Sequence, residues 1–222
     1  MPRHAMKVKG HSIVFASDFN PTVFQPRWLK QLGLLDFDES DEKVNIIHPE
    51  ITDFVYSWLN IKVTRTKLIA QTIDESAFEL LRDFVFGLFS YFDTIPVNRA
   101  GINFDMHIDL FDREYVRTTF QNLVNYSFLS KLTTEPDINS LRFNQHYDYE
   151  DFYHTMNIRI EPSMTRVPNT GIFISINNDL WLKDENNHDP RKILDVISSK
   201  WDACMRLSSN LPIDIIEGDD YA

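Results

Sequence analysis

Residues 99–110 read RAGINFDMHIDL, and their apolar and polar side chains alternate more regularly than in any other stretch of this chain. The apolar positions are Ala100, Ile102, Phe104, Met106, Ile108 and Leu110. The places between them hold Arg99, Gly101, Asn103, Asp105, His107 and Asp109. Because successive side chains of a strand point to opposite faces, this pattern is typical of an antiparallel strand with one buried face.

Helices are expected on both sides of this strand in the sequence. Asp74 is a good N-cap, and the apolar residues behind it recur at helical spacing, which predicts a helix over about residues 75–92. Asp112 is expected to cap a second helix. The pair Asp189-Pro190 is expected to open a last helix, whose apolar face carries Trp201 and Cys204.

Further strands are expected at residues 11–17, 54–63, 68–72, 156–160 and 172–176. The second and third of these strands would form a hairpin. A short helix is expected at residues 25–32, between a first-turn proline and Gly33. Residues 132–141 read as a polar loop, and residues 142–154, RFNQHYDYEDFYH, show no clear period.

The order of these elements predicts a fold class. The first half reads strand, helix, strand, strand, helix, strand, which is the order of the ferredoxin-like βαββαβ unit, and an αββα extension follows. We therefore predict an α+β fold with a mainly antiparallel sheet and helices on one face. The one plausible boundary, near residues 130–145, is rich in neither proline nor glycine, so residues 1–222 are expected to form a single domain.

Charge and cysteine content restrict the classes of function. The formal net charge is −11, from 22 Lys and Arg against 33 Asp and Glu, which makes nucleic acid an unfavourable partner. Cys204 is the only cysteine, which excludes an internal disulfide and favours a reducing compartment. The N-terminal residues lack the apolar core of a signal peptide, and no apolar stretch is long enough for a bilayer. The sequence therefore predicts a cytoplasmic protein without a membrane partner.

The polar side of residues 99–110 holds the densest cluster of metal-ligand residue types in the chain. Asp105, His107 and Asp109 would lie on one strand face, about 7 Å apart in successive pairs. Histidine and carboxylate can bind a divalent metal, so a metal-assisted hydrolase with His107 and Asp109 as ligands is one alternative. Further ligands would come from Asp105, Asp112, His146 or His154. We favour a solvated strand face, because alternation alone accounts for these residue types.

Aromatic side chains gather at two places that would suit a protein interface. Residues 145–154, QHYDYEDFYH, combine histidines and carboxylates with tyrosine and phenylalanine, which are enriched at interfaces. The alternative there is a loop pinned by its own aromatic side chains. A second aromatic face is expected along residues 54–58. The candidate interface residues are Tyr56, Trp58, Tyr147, Tyr149, Phe152 and Tyr153.

The turn between the strands 54–63 and 68–72 gathers the basic residues Lys62, Arg65 and Lys67. Such a tip is usually a solvated turn. A weak nucleic-acid contact through Lys62–Lys67 is a further alternative, and it would weaken steeply with added salt.

Two runs within residues 59–108 carry a resemblance to known proteins. LNIKVTRTKLIAQT at 59–72 and FELLRDFVFGLFSYFDTIPVNRAGINFDMHI at 78–108 resemble bacterial α+β proteins of unknown function, in which a hairpin, a helix and a Pro-Val…Gly-Ile-Asn strand follow one another. The resemblance covers about a quarter of the chain. It implies a bacterial cytoplasmic protein and brings no catalytic residues with it.

No sequence motif for catalysis or for a nucleotide cofactor is present. The chain lacks the patterns G-x-G-x-x-G, G-x-S-x-G, H-E-x-x-H and C-x-x-C. We therefore expect a non-enzymatic protein-interaction or scaffold subunit of a larger cytoplasmic assembly. Its partner would be another protein or a second copy, and no cofactor is expected beyond the divalent metal of the hydrolase alternative.

Overall fold

The computed structural model describes residues 4–36, 42–131, 133, 136–184, 186 and 189–218. These residues form nine strands and five α-helices, which confirms the α+β class. In chain order the elements are β1 (Ala5–Ala16), α1 (Pro26–Gln31), β2 (Glu42–His48), β3 (Ile51–Tyr56), β4 (Leu59–Thr64), β5 (Lys67–Thr72), α2 (Phe78–Tyr91), β6 (Arg99–Asp109), α3 (Arg113–Asn122), α4 (Tyr126–Leu129), β7 (Leu141–Asp148), β8 (Phe152–Pro162), β9 (Gly171–Leu182) and α5 (Pro190–Glu217).

All nine strands belong to one antiparallel sheet, in the order β2-β3-β4-β5-β1-β6-β9-β8-β7. β6 lies near the middle and pairs along its length with β1 on one side and β9 on the other. Its apolar side chains are buried, and those of Phe104 and Met106 have no exposed surface. The alternation predicted for this stretch is therefore confirmed.

Two helices cover the centre of one side of the sheet. α2 packs against β1 and β5, and α5 packs against β6 and β9. The indole N–H of buried Trp201 on α5 donates to Glu79 on α2 at 2.8 Å, which joins the two helices. The opposite side, called the open face below, carries Asn103, Asp105 and His107 and the residues level with them on neighbouring strands. No helix within the described ranges is long and apolar enough to cross a membrane.

The three predicted N-caps lie at helix starts. Asp112 caps α3 and Asp189 caps α5, each by accepting the backbone N–H two residues further on. Asp74 makes the same contact at a 3₁₀ turn, Glu75–Ala77, that leads into α2. These carboxylates satisfy N–H groups that have no partner within the helix, and they fix where each helix begins.

The prediction of a single strand over residues 54–63 is wrong. β3 ends at Tyr56 and β4 begins at Leu59, which lies directly opposite it. Ser57 between them has a φ of 49°, the left-handed conformation that tight hairpin turns use. The turn reverses the alternation, so Phe54 and Tyr56 are buried in the same core as Ile61. The sequence lacks the Asn-Gly or Asp-Gly pair that usually marks such a turn.

The sheet is larger than the sequence predicts, and the ferredoxin-like start is not confirmed. Between α1 and α2 the chain runs through four consecutive strands, β2 to β5, instead of one hairpin. Residues 142–154, which show no sequence period, form most of β7, the turn at 149–151 and the start of β8. β2 and β7 are the edge strands, and nearly all of their residues are exposed. Buried and exposed side chains do not alternate along such strands, so apolar and polar residues do not alternate in their sequence either.

Candidate functional site

His107 lies on the open face near the end of β6 and contacts the connection between β8 and β9. Its Nδ1 shares a hydrogen bond of 2.9 Å with the hydroxyl of Ser163, which is buried. That hydroxyl oxygen also accepts the backbone N–H of Val167 at 3.2 Å. The Ser163 O–H is therefore placed to donate to a neutral His107 ring. The contact fixes the start of the β8–β9 loop against β6.

Asp109 holds the other end of the same loop. Its Oδ1 accepts the hydroxyl of Thr170 at 2.8 Å and the backbone N–H of Phe111 at 2.9 Å. The loop ends at Gly171, the first residue of β9, where an added Cβ would lie 2.5 Å from the Cβ of Val167. Only glycine allows the loop to approach β6 this closely. His107 and Asp109 therefore act together as anchors of one tightly packed connection.

The charge states of these two residues follow from their surroundings. Partial burial lowers the pKa of His107, and the positive charge of Arg166 adds to that effect while Asp105 opposes it. Burial alone would raise the pKa of Asp109, but its hydrogen bonds and the nearby Lys7 ammonium together lower it. A neutral imidazole beside an ionised carboxylate suits the hydrogen bonds that hold the loop.

The structure does not bring the other candidate metal ligands to His107 and Asp109. Asp105 shares their face but is exposed, and Asp112 is engaged as the cap of α3. His146 lies three strands away, about 14 Å across the sheet, and its row meets β6 at Gly101, about 20 Å along the strand from His107. His154 is buried on the helix-covered side, where Nε2 contacts Asn178 at 3.0 Å. Within the described part of the chain, no group of three or more His, Cys, Asp or Glu side chains could hold a metal ion.

Two of the candidate interface residues at the β7–β8 hairpin brace its turn. Tyr149 stacks on Phe152 with ring centroids 4.5 Å apart, and the Lys200 ammonium of α5 lies 3.6 Å from the Tyr149 ring centre. These contacts hold the turn against α5. Tyr147 stacks on His154 at 5.0 Å, and Tyr153 lies 5.5 Å from the ring of Trp181.

The outer side of β7 is the most accessible backbone edge of this hairpin. β7 pairs only with β8 in the described sheet, and its register with β8 is regular over all eight residues. Phe143 and Tyr147 lie on the helix-covered side of the sheet, opposite Ile158 and His154 of β8, and 47% and 38% of their surfaces are exposed. The edge therefore combines unpaired backbone groups with two exposed aromatic rings.

The aromatic residues of the β3–β4 turn lie in a different environment. Tyr56 is buried, and its hydroxyl donates to the backbone oxygen of Asp36 at 2.9 Å. Trp58 is half-buried and packs against the core. Only 5% of the Tyr56 surface is exposed, so this pair does not form an exposed aromatic patch.

The basic tip of the β4–β5 hairpin is partly neutralised within the protein. The guanidinium Nε of Arg65 contacts both carboxylate oxygens of Glu50 at 2.8 Å. Lys62 and Lys67 remain exposed on the open face. Two lysines beside a paired arginine make a weak cationic surface on a chain with a net charge of −11.

A row of hydrogen-bonded side chains crosses the centre of the open face, and the sequence pattern does not predict it. Asn103, Asn177 and Asn157 lie directly opposite one another on β6, β9 and β8. The Asn177 amide donates to Asn103 at 2.6 Å, and Asn157 donates to Asn177 at 3.3 Å. Asn103 donates in turn to Ser12 on β1 at 3.3 Å. Each polar position is visible in its own strand, but only the cross-strand register places them in one row.

His11 on β1 and Cys204 on α5 are buried between the sheet and its helices, and both are poor candidates for exposed chemistry. His11 packs against Phe104, with ring centroids 4.5 Å apart, and burial lowers its pKa to about 4. Burial raises the pKa of the Cys204 thiol to about 12. A thiol of that pKa is almost entirely protonated at neutral pH, so Cys204 is a core residue and not a nucleophile.

A groove of about 830 Å³ runs between α3 and the segments 136–139 and 162–169. Its described lining includes Arg113, Arg117 and Asp137, together with apolar groups such as Phe120. Arg117 lies 3.9 Å from Glu114. The described lining of the groove carries charges of both signs.

Neither a scan against protein-family models nor a search of curated proteins finds a match to this chain. The resemblance to bacterial α+β proteins over residues 59–108 stays a prediction.

Proposed function

We propose that this protein is a non-enzymatic interaction subunit of a larger cytoplasmic assembly, and that it binds a protein partner along the outer edge of β7. The observation that carries the proposal is this edge itself. It is eight residues long, regular and exposed, and no other described strand pairs with it. Partners commonly bind such edges by adding a strand, so that backbone hydrogen bonds provide affinity.

The sequence of β7, LRFNQHYD, lacks the features that usually protect an edge strand from pairing. It contains no proline, no lysine and no bulge, and its charged residues, Arg142 and Asp148, lie near its two ends. Native proteins blunt exposed edges with such features when pairing has to be avoided. A fully exposed edge without them supports a role in binding.

The hairpin that carries β7 is held in place before any partner arrives. Lys200 lies over Tyr149 at one side of the turn, and Lys183 contacts Asp148 at 2.5 Å. On the open face, His146 contacts Thr155 of β8 at 2.9 Å. A rigid edge loses little conformational entropy on binding, which favours affinity.

The direction of the backbone groups on β7 provides a test. Tyr149 N–H donates to Phe152 O at 3.0 Å. The backbone N–H and C=O groups of the odd-numbered residues of β7 therefore point toward β8, and those of the even-numbered residues point away from it. The N–H of Asn144 therefore points outward. Asn144→Pro removes this outward donor and keeps the hydrogen bonds to β8. Asn144→Ala is the matched control, because it removes the same side chain and retains the N–H.

Both variants should keep the melting temperature of the wild type to within a few degrees, because residue 144 lies on an edge strand and its backbone N–H points away from β8. In affinity capture from cells of the source organism, wild type and Asn144→Ala should retain the same partner. Asn144→Pro should lose it. Equal capture by the proline variant, at equal folded concentration, would refute the proposal that β7 is the binding edge.

A further inference from the structure

We propose that the partner on β7 is a second copy of this chain, which pairs antiparallel to the first about a twofold axis through Gln145. This inference rests on the proposed role of β7 as a binding edge. In this register Arg142 faces Asp148 of the second copy, and Phe143 faces Tyr147. Asn144 faces His146, and Gln145 faces itself.

The register satisfies the geometry of a continuous sheet. Residues that face each other in an antiparallel pair have to lie on the same side of the sheet. Phe143 and Tyr147 both lie on the helix-covered side, opposite Ile158 and His154 of β8. Arg142 therefore lies on the open face together with Asp148. Both copies would keep their helices on one side of a sheet that continues across the axis.

The backbone groups also match in this register. The N–H and C=O groups of the even-numbered residues of β7 point outward, because the odd-numbered ones face β8. Even-numbered residues face even-numbered residues across the axis. Arg142 and Asp148 of opposite copies would therefore exchange both backbone bonds, and so would Asn144 and His146. No outward donor between residues 142 and 148 would remain without a partner.

Charge complementarity selects this register over its neighbours. Each copy contributes one arginine and one aspartate, so the twofold axis creates two opposite-charge pairs at the two ends of the interface. The Arg142 side chain is 70% exposed, and its ion pair with Glu161 is long, at 3.9 Å. Lys183 contacts Oδ1 of Asp148, and a carboxylate can accept more than one donor. A register shifted by one residue at the axis would place Arg142 opposite His146 instead.

The exposed aromatic rings support the same register. Phe143 would lie across from Tyr147 at both ends of the pair, on the helix-covered side of the sheet. Aromatic pairs that face each other across antiparallel strands stabilise the pairing. The contact would cover the two most exposed aromatic rings of β7.

The opposite edge of the sheet is less suited to this pairing. β2 carries a register irregularity between Val44 and Ile46, which interrupts its backbone pattern. A contact of β7 with β2 of another copy would also leave a free edge at each end, and it would give an open chain of copies. Pairing of β7 with itself closes at a dimer.

A disulfide at the twofold axis tests the register directly. Gln145→Cys would place two thiols in a pair without backbone bonds, with Cα atoms about 4.5 Å apart, which a disulfide can bridge. Asn144→Cys is the matched control, because its copies would lie about 8 Å apart, beyond disulfide reach. Mild oxidation should give a covalent dimer of Gln145→Cys and not of Asn144→Cys or wild type, whose Cys204 is buried. A covalent dimer of the Asn144→Cys variant instead would overturn the register.

Charge exchange tests the end contacts in solution. Arg142→Asp and Asp148→Arg alone each create two like-charge pairs and should weaken the dimer about tenfold or more. An equimolar mixture of the two variants should recover dimers, because each like-charge pair is then replaced by an opposite-charge pair. Analytical ultracentrifugation of the folded variants measures both effects. A mixture no tighter than the separate variants would overturn the proposed contact.

These results separate the second copy from the broader proposal. A wild type that stays monomeric at high concentration, together with a Gln145→Cys variant that forms no disulfide, would overturn the second copy as partner. Capture of a different protein that Asn144→Pro abolishes would still support β7 as the binding edge. Growth into larger species with concentration would point to β7 pairing with β2 and would overturn the closed dimer.

Discussion

His11 provides the sharpest test of the packing between the sheet and its helices. It lies on the helix-covered side of β1, and its ring is surrounded by Phe104, Phe78 and Trp201 at centroid distances of 4.5, 5.1 and 5.1 Å. Its Nδ1 is 2.9 Å from the backbone oxygen of Asn103, so this nitrogen carries the proton of the neutral ring. Its Nε2 is buried and has no hydrogen-bond partner among the described residues. Protonation would place a charge in this apolar site.

The pKa of His11 gives the size and sign of the expected effect. Burial lowers it from 6.5 to about 4, opposed by the hydrogen bond to Asn103 and assisted by the charge of Lys9. Because the folded state binds the proton less tightly than the unfolded state, the stabilising contribution is complete above pH 6.5 and is lost as the pH falls toward 4. At about 1.4 kcal/mol for each pH unit between the two values, the loss is about 3 kcal/mol.

His11→Phe should remove this pH dependence, because phenylalanine fills a similar space and cannot ionise. We expect the unfolding free energy of the wild type to fall by about 3 kcal/mol more than that of the variant between pH 7 and pH 4. Urea denaturation at a series of pH values measures it. His48→Phe, on the exposed edge strand β2, is the control for a general effect of the substitution. Equal losses in wild type and His11→Phe would refute a buried neutral histidine at this position.

Three other outcomes follow from the structure. Phe104→Ala should lower the unfolding free energy by about 2–5 kcal/mol, because it empties a buried position. Asp105→Asn on the open face should change it by less than about 0.5 kcal/mol. Equal effects of the two substitutions in urea denaturation would contradict the assigned faces. Asp109→Ala should lower the unfolding free energy by about 1–3 kcal/mol and should expose the β8–β9 loop to trypsin at Arg166. A digestion pattern identical to that of the wild type would argue against Asp109 as an anchor of this loop. The thiol of Cys204 should resist an aromatic disulfide reagent at pH 8 in the folded protein and react in denaturant, and fast labelling of the folded state would show that α5 does not bury it.

The parts of the fold that the sequence predicts are those in which neighbouring residues carry the pattern. The alternation in residues 99–110 predicts β6, and the caps Asp112 and Asp189 predict where α3 and α5 begin. The caps are contacts between residues two positions apart, and one face of β6 is buried along the whole strand. Periodicity therefore predicts the elements and the side chains that face the core.

The edge strands and the turn at Ser57 could not be predicted in this way. β7 is exposed along most of its length, so its apolar and polar residues show no alternation. Ser57 adopts a positive φ, but the residue pairs that usually mark such a turn are absent there. Strand pairing decides both features. Whether a segment is an edge depends on which neighbour it lacks, and that is settled by contacts between residues far apart in the chain.

The same division applies to the candidate sites. The sequence shows a histidine and carboxylates on one strand face, which identifies residue types that could bind a metal. In the tertiary structure His107 is hydrogen-bonded to Ser163 and Asp109 to Thr170. Both side chains therefore hold a loop that lies 56 or more residues away in the sequence. The tertiary structure likewise assembles the asparagine row from three strands and leaves one edge of β7 without a partner strand in the described sheet. Sequence period determines the face on which a side chain lies, but its partner across the sheet depends on register, which only the folded chain defines.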